Sequence, residues 1–368
     1  MDPVRISAFD FYRYALKLSL PISGKEKAKE REGLIIHFKS AEGAEGFGDV
    51  APFPGRSRES VQDCLDQIKG LKKFLLSVEL PKHLERLDGG FERIFKDMYL
   101  KPSLRFGVET ALLTLLANGR KVSLRGLLST ENHDHIKLNG LIYDQAETLD
   151  EKTAQARQMI GAGFQSIKLK VGSDLKKEIK TVQAFSEAID GRALFYVDAN
   201  QTWTLNQAVE FGNEVGLAAL AYIEEPFKNI YDIPEFFAQT TIPIALDESL
   251  LKYPFEEIKS IDGVYTLILK PTLLGGIERA WKLMHEAKRL ALSSVVSSTF
   301  ESDIGILGLA HLAGSTSRDY PAGLDTLKYF EQNLLKEKIP VNHGKMDISR
   351  GGFRADQIRF DLLTKIEI

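Results

Sequence analysis

The chain has 368 residues, which is long enough for two domains, and its 48 basic and 51 acidic residues give a formal net charge of −3. The sequence shows no basic stripe for nucleic acid and no apolar run that approaches a membrane span, and a single cysteine, Cys64, excludes an internal disulfide. We therefore expect a cytoplasmic protein that binds neither nucleic acid nor membrane, and the sequence leaves the oligomeric state open.

Residues 1–130 are predicted to form an α+β capping domain, in which three strands are followed by helices. Residues 33–38 and 46–50 are typical of a hairpin. Residues 24–33, between the first two strands, are too highly charged to suggest burial. We expect this segment to be a solvated loop or a lid over a site.

Residues 131–326 repeat a unit of one short apolar run and one helical pattern, which predicts a (β/α)7β TIM-type barrel. The runs are rich in branched and aromatic side chains, as is typical of strands buried on both faces. The first barrel strand is expected at residues 136–141. Residues 327–368 are expected to return to the capping domain as a C-terminal segment.

Charged residues follow five of these runs at nearly regular intervals. The intervals are 28 residues from Lys170 to Asp198, 26 from there to Glu224, 23 to Asp247 and 23 to Lys270. Because a parallel barrel collects the carboxyl ends of its strands at one rim, these side chains are predicted to meet. Desolvating a charge costs several kcal/mol unless it is paired or bound to metal, so such a group indicates a functional site.

The residue types at this rim indicate metal-assisted proton abstraction. Asp198, Glu224 and Asp247 offer the hard oxygen ligands that Mg²⁺ prefers, and no cluster of Cys or His favours zinc. Lys168 and Lys170 are two apart on one strand, so both side chains point to the barrel interior, and two adjacent ammonium groups lower each other's pKa. A lysine with a lowered pKa can remove a proton from carbon next to a carboxylate, because a metal ion neutralises the enediolate that forms.

Five short motifs carry a resemblance to a known family: IKLKV at 167–171, VDAN at 197–200, IEEP at 223–226, LDES at 246–249 and LKP at 269–271. They are similar to the motifs of the muconate-lactonizing subgroup of the enolase superfamily, whose members are known to pair a Lys or His base with Mg²⁺. The resemblance implies a barrel with an N-terminal cap. It also implies that the three carboxylates bind Mg²⁺, for which Mn²⁺ is a possible substitute.

The same resemblance assigns roles to the remaining rim residues. It makes Lys170 the acid and base, Lys168 its partner, and Lys270 the cation on the other side of the intermediate. It places Asn200 and Glu248 directly behind the metal ligands, with Glu248 expected to pair with Lys270.

A narrower resemblance covers most of the chain and is carried by GFGDVAPFPG at 46–55, KPTLLG at 270–275, SSTFES at 297–302 and GLDT at 323–326. These motifs are similar to those of the o-succinylbenzoate synthase family, which dehydrates a cyclohexadiene carboxylate in menaquinone biosynthesis. The resemblance implies a small-molecule carboxylate substrate. The candidate substrate-binding residues are Phe53, Ser297, Ser298, Thr299 and Gly323.

Two alternatives remain open at this point. The first is an N-succinylamino acid racemase or dipeptide epimerase on the same scaffold, because Lys170 and Lys270 are expected on opposite faces of the substrate. The second is a non-catalytic, carboxylate-binding relative. Such a relative would be expected to have lost a lysine or a metal ligand, and the sequence retains all of them.

Overall fold

The computed structural model describes residues 5–22, 28–81, 83–129, 133–142, 148–315, 320–349 and 353–367. The described strands are β1 (Ile6–Ile22), β2 (Ala28–Ser40), β3 (Glu45–Val50), β4 (His135–Lys137), β5 (Gly140–Ile142), β6 (Ser166–Lys170), β7 (Leu194–Asp198), β8 (Tyr222–Glu224), β9 (Ile244–Leu246), β10 (Val264–Leu269), β11 (Ser293–Val296), β12 (Val341–Asn342), β13 (Lys345–Asp347) and β14 (Thr364–Ile366). The described α-helices are α1 (Val61–Ser77), α2 (Gly90–Ile94), α3 (Pro102–Gly119), α4 (Leu124–Leu128), α5 (Leu149–Gly161), α6 (Leu175–Ile189), α7 (Leu205–Val215), α8 (Ile233–Thr240), α9 (Phe255–Ile258), α10 (Pro271–Leu274), α11 (Ile277–Arg289) and α12 (Asp303–Gly314).

The N-terminal sheet is antiparallel, with strand order β14-β1-β2-β3. Helix α3 approaches β3 at backbone distance: a Cβ atom at Gly48 would lie 1.9 Å from the carbonyl oxygen of Gly107, so only glycine is accommodated at this crossing. Strand β14, near the C-terminus, completes the sheet beside β1.

The segment predicted to be an exposed loop or lid is in part a strand. Strand β2 begins at Ala28, which pairs with Ile22 of β1, so the loop prediction is wrong for residues 28–33. Residues 23–27 lie outside the described residues. Arg31 is fully buried despite the surrounding charges, because main-chain carbonyl groups accept hydrogen bonds from its guanidinium group.

The second sheet has seven parallel strands in the order β11-β10-β9-β8-β7-β6-β5. Parallel bridges between Ser297 and Gly323, and between Leu138 and Ala322, join its two edges and close the barrel. The predicted capped TIM-type barrel is therefore confirmed. The eighth strand of the barrel is reduced to residues near Gly323, which pair with each neighbouring segment through a single bridge.

The predicted first barrel strand is divided into two pieces. Strand β4 pairs antiparallel with β13, outside the barrel, and only β5 joins β6 in the parallel sheet. The division falls at Leu138 and Asn139, whose backbone N–H groups donate to the carbonyl groups of Gly344 and Ala322.

The helices between the barrel strands begin at side-chain caps and bury one face each. Thr148, Asp174 and Thr204 accept hydrogen bonds from backbone N–H groups in the first turns of α5, α6 and α7. The buried face of α6 includes Val182 and Phe185. Among the described helices, none combines the length and the apolar character that crossing a membrane requires.

Candidate active site

The carboxyl ends of β6 to β10 place charged residues along one rim of the barrel. The parallel register sets Lys170 beside Asp198, and Asp198 beside Glu224. Asp247 directly follows β9, and Lys270 directly follows β10. A cavity of about 380 Å³ opens at this rim, and its other walls come from the turn after β3 and the loop after β11. The fold thus brings together charged residues as far apart in the sequence as Lys168 and Lys270, which are 102 positions apart.

Three carboxylates at the rim are removed from solvent. Asp198, Glu224 and Asp247 are exposed by 5%, 1% and 5%. Burial, reinforced by repulsion from Asp198, raises the pKa of Glu224 above its usual range. Burial also acts to raise the pKa of Asp198, but the ammonium groups of Lys168 and Lys170 outweigh it and lower that pKa. Negative charge is therefore concentrated at this rim. At Glu224 the neighbouring ammonium groups do not fully offset burial and the repulsion from Asp198.

Two of the lysines at the rim, Lys168 and Lys270, are bonded to these carboxylates. The Lys168 ammonium lies 3.0 Å from Asp198 Oδ2 and donates to both Glu224 oxygens at 2.7 and 2.6 Å. Lys270 donates to Asp247 Oδ2. Burial opposes the charged form of both lysines, but the nearby carboxylates prevail and raise both pKa values. Both are therefore expected to remain ammonium ions near neutral pH.

The pKa of Lys170 is shifted in the opposite direction. Burial lowers its pKa, and Lys168, Arg56 and Lys270 lower it further, which together outweigh the attraction of Asp198. The expectation that neighbouring lysines lower each other's pKa therefore holds for Lys170. It is wrong for Lys168, because that ammonium is bound to two carboxylates.

Within the described residues, no group of three His, Cys, Asp or Glu side chains is arranged to hold a metal ion as the side chains stand. Lys168 and Lys270 instead hydrogen bond to the carboxylates at this rim. The donor set nevertheless fits a hard dication. The three carboxylates supply oxygen only, they are buried on neighbouring strands, and neither His nor Cys is among the described residues lining the cavity. The raised pKa of Glu224 marks a place where further positive charge would be stabilised.

Asn200 and Glu248 lie directly behind these carboxylates. The Asn200 backbone N–H donates to Asp198 at 3.0 Å, and its side-chain amide donates to Glu248 Oε1 at 3.2 Å. The expected pairing of Glu248 with Lys270 is wrong. Glu248 pairs with Arg56, which reaches across from the turn after β3, while Lys270 is already bonded to Asp247.

Glu225 is a structural residue of the site that the sequence interpretation missed. It is fully buried and accepts the backbone N–H groups of Asp247 and Ser249, both at 2.7 Å, and the Gln201 side-chain amide at 2.6 Å. Burial raises its pKa to about 7. The available signal was the Glu-Glu pair itself, because successive residues of a strand point to opposite sides and only one can face the cavity.

All five predicted substrate-binding residues line the cavity: Phe53, Ser297, Ser298, Thr299 and Gly323. The Ser298 hydroxyl lies 2.9 Å from the Thr326 hydroxyl, which orients it within the wall. A Cβ atom at Gly323 would lie 2.5 Å from Ser297 Oγ, so a side chain there would displace the Ser297 hydroxyl from the wall. The Phe53 ring stacks on Phe300 at 6.2 Å between ring centroids.

Two family models and several named relatives match this chain. One family model, described as "Enolase C-terminal domain-like", matches residues 151–353, and another, described as "MenC, N-terminal domain", matches residues 6–115. The o-succinylbenzoate synthase of Haemophilus influenzae is 30% identical over 336 residues, which cover 89% of this chain and 92% of that protein. The o-succinylbenzoate synthase of Pasteurella multocida is 27% identical over 340 residues, covering 90% and 92%.

Solved structures with the same architecture include enzymes with other activities. The L-Ala-D/L-Glu epimerase of Bacillus subtilis matches with a TM-score of 0.82 and 23% identity, over 93% of this chain and 96% of that chain. The muconate lactonizing enzyme of Pseudomonas fluorescens matches with a TM-score of 0.81 and 18% identity, over 95% and 94%. At these identities the likeness shows the fold alone.

Proposed function

The chain belongs to the o-succinylbenzoate synthase family of the enolase superfamily and is a carbon–oxygen lyase, and we propose that it dehydrates 2-succinyl-6-hydroxy-2,4-cyclohexadiene-1-carboxylate to o-succinylbenzoate in menaquinone biosynthesis. One observation carries the proposal. Lys168, Lys170 and Lys270 line a single cavity together with two of the three buried carboxylates, and the third carboxylate is hydrogen bonded to Lys168. Carboxylates that can hold a dication and a lysine that can lose its proton are the groups that this dehydration requires.

Lys170 acts as both base and acid in the proposed reaction. Its amine takes the proton from the ring carbon that bears the carboxylate, and the electron pair left behind becomes a ring double bond as the C–O bond to the hydroxyl group breaks. The resulting ammonium gives its proton to the departing hydroxide, which leaves as water, and the ring becomes aromatic. The lowered pKa of Lys170 supports this role, because a base must be neutral before it can accept a proton.

Lys270 is proposed to remain a cation that faces the ring. The negative charge of Asp247 raises the pKa of Lys270 despite burial, so Lys270 holds its proton near neutral pH. An ammonium beside the ring stabilises the negative charge that develops there and can interact with the aromatic face of the product.

Asp198, Glu224 and Asp247 are the residues proposed to hold Mg²⁺, with Mn²⁺ as a substitute. When bound, the ion supplies a Lewis acid that stabilises negative charge on the substrate carboxylate. Lys168 is proposed to supply positive charge beside Lys170, which favours the neutral form of that base. Asn200 and Glu248 are proposed to hold the carboxylates in place from behind.

The opposite wall of the cavity is proposed to hold the rest of the substrate. The hydroxyl groups of Ser297, Ser298 and Thr299 can donate to a carboxylate or a ketone, and the backbone at Gly323 allows close approach. Phe53 supplies an apolar surface that excludes water from the ring.

The racemase or epimerase alternative requires a second base on the other face of the substrate. The lyase is favoured because the relatives at 27–30% identity over most of the chain are o-succinylbenzoate synthases, whereas the likeness to the epimerase is one of fold alone. A non-catalytic relative is disfavoured because every predicted lysine and carboxylate lies at the rim.

The test offers the purified protein two kinds of substrate in parallel, with Mg²⁺ added. We expect the cyclohexadiene carboxylate to give rising aromatic absorbance, and N-succinylamino acids to show no or much slower change of optical rotation. Faster racemization than dehydration would favour the alternative, and no turnover of either would favour the non-catalytic relative. Lys176→Ala, an exposed lysine on α6, serves as the control for any lysine substitution.

A further inference from the structure

Arg31 of β2 is a buried charged residue that the proposed reaction does not use. Its exposed fraction is 1%, and a guanidinium group tolerates burial only when its N–H groups find acceptors. Its five N–H groups are matched by five main-chain carbonyl oxygens: Phe300 at 2.9 Å from Nε, Pro52 at 2.5 Å and Glu32 at 3.3 Å from Nη1, and Ala51 at 2.5 Å and Thr299 at 3.4 Å from Nη2.

Four of these carbonyl groups belong to the two loops that form the substrate-facing wall. Two lie in the turn after β3 of the capping sheet, and two lie in the loop after β11 of the barrel, which is almost 270 residues further along the chain than Arg31. The guanidinium also lies over the Phe53 ring, 5.5 Å from its centroid, and Phe53 stacks on Phe300. One side chain therefore touches both loops and the ring between them.

The loop after β11 adopts a conformation that needs external support. Phe300 has φ +58°, in the left-handed region that a bulky residue rarely occupies. Its carbonyl oxygen accepts from Arg31, and two residues later the Ser302 N–H and hydroxyl donate to Asp49 of β3, both at 2.8 Å. The capping sheet thus holds this barrel loop through two of its side chains, those of Arg31 and Asp49.

We propose that Arg31 is a positioning residue, which fixes the wall formed by Phe53, Thr299 and Phe300 by tying the cap turn to the barrel loop through their carbonyl groups. The inference rests on the proposed function for the identity of the substrate, but its structural part does not. Because misplacement by about 1 Å can cost up to roughly a hundredfold in rate, a residue remote from the reacting atoms can lower kcat/KM by changing how the substrate is held.

The experiment compares Arg31→Met and Arg31→Lys with Arg13→Met. Methionine keeps the length of the side chain without donors, and lysine keeps the charge with three donors for five carbonyl groups. Arg13 is an exposed residue of the adjacent strand β1, where it pairs with Glu32, so its substitution controls for loss of a cation from the sheet. Each variant is measured for kcat and KM with the cyclohexadiene carboxylate, for melting temperature, and for amide hydrogen exchange at residues 299–302.

We expect Arg31→Met to raise KM by about tenfold while kcat falls by less than about threefold, because Lys170 and the carboxylates are untouched. Arg31→Lys should restore part of the loss, and exchange at residues 299–302 should accelerate in both variants but not in Arg13→Met. A lower melting temperature with wild-type KM in the variants that fold would reduce Arg31 to a purely structural role and overturn the proposal.

Failure of the proposed function would be recognised separately. If the wild-type protein does not turn over the cyclohexadiene carboxylate, the hydrogen exchange measurements still decide whether Arg31 orders the wall. Unchanged exchange at residues 299–302 in Arg31→Lys and Arg31→Met would overturn the positioning role whatever the substrate is.

Discussion

The two sides of the cavity are built in different ways. On the side that carries Asp198, Glu224 and Asp247, here called the metal side after the proposed Mg²⁺ site, most interacting residues lie at the ends of strands of one sheet, such as Lys170 beside Asp198, 28 residues apart. On the substrate-facing side, Arg31 and Asp49 of the capping sheet bind the loop after β11, with partners 269 and 253 residues away. The chemistry is therefore placed by the regular barrel, whereas the shape of the pocket depends on how the cap docks. The same fold is shared by enzymes with different activities, as expected when function depends on the site rather than on the fold.

The largest effect is expected on the metal side, from Lys170→Ala. Loss of a general acid and base typically costs 10² to 10⁴ in rate, so kcat should fall by roughly that factor while the fold and Mg²⁺ binding persist. Steady-state kinetics measures kcat, circular dichroism monitors the fold, and isothermal titration with MgCl₂ measures the binding of Mg²⁺. The exposed Lys176→Ala control should retain wild-type turnover, and retained turnover in Lys170→Ala would remove that residue from the mechanism.

The next largest effect is expected on the substrate-facing side, where Asp49 should make the free energy of unfolding depend on pH. Burial raises the pKa of Asp49 to about 6, despite hydrogen bonds from Tyr14 and Ser302. Between the unfolded pKa of about 3.9 and the folded pKa, the folded state holds more protons, so stability falls as pH rises through this window and is level above it. The shift of about two pKa units corresponds to roughly 3 kcal/mol.

Asp49→Asn should remove this pH dependence, because an amide can keep its contacts with Ser302 and Tyr14 without carrying a charge. Urea unfolding at pH 4 and pH 7 measures the difference between the wild-type and variant free energies of unfolding. Asp262→Asn, at an exposed position, is the matched control. Equal pH slopes in wild type and Asp49→Asn would show that Asp49 ionises normally in the folded protein.

These two sides also differ in how far the sequence alone predicts them. The rim could be predicted because each charged residue follows a short apolar run and the barrel closes in a regular order. The barrel residues that bind the cap could not be predicted, because no short-range sequence pattern relates Arg31 to Phe300. The charges around Arg31 favoured an exposed loop, and its burial depends on carbonyl groups contributed by two distant loops. The pairing of Glu248 was misassigned for the same reason, since Arg56 reaches it from the cap.

Asp198→Asn should produce a smaller effect on the metal side. The amide keeps the size of the side chain but loses its charge, so we expect Mg²⁺ affinity to fall by about tenfold to a hundredfold. Isothermal titration with MgCl₂ gives the affinity directly, with Asp262→Asn again as the control. An unchanged dissociation constant would contradict the assignment of Asp198 as a ligand.

The smallest effect is expected on the substrate-facing side, from Phe53→Leu. Leucine keeps an apolar surface but loses the ring contacts with Phe300 and Arg31, which are worth about 0.5–1.5 kcal/mol in comparable aromatic pairs. KM should therefore rise by roughly threefold to tenfold with little change in kcat, because the ring is proposed to contact the substrate and not the proton being transferred. Phe74→Leu is a matched control, since its ring lies 6.1 Å from that of Phe95, away from the cavity. A similar KM in both variants would mean that the cap turn shapes the cavity through its backbone alone, and the Phe53 side chain would then lose its proposed role in substrate binding.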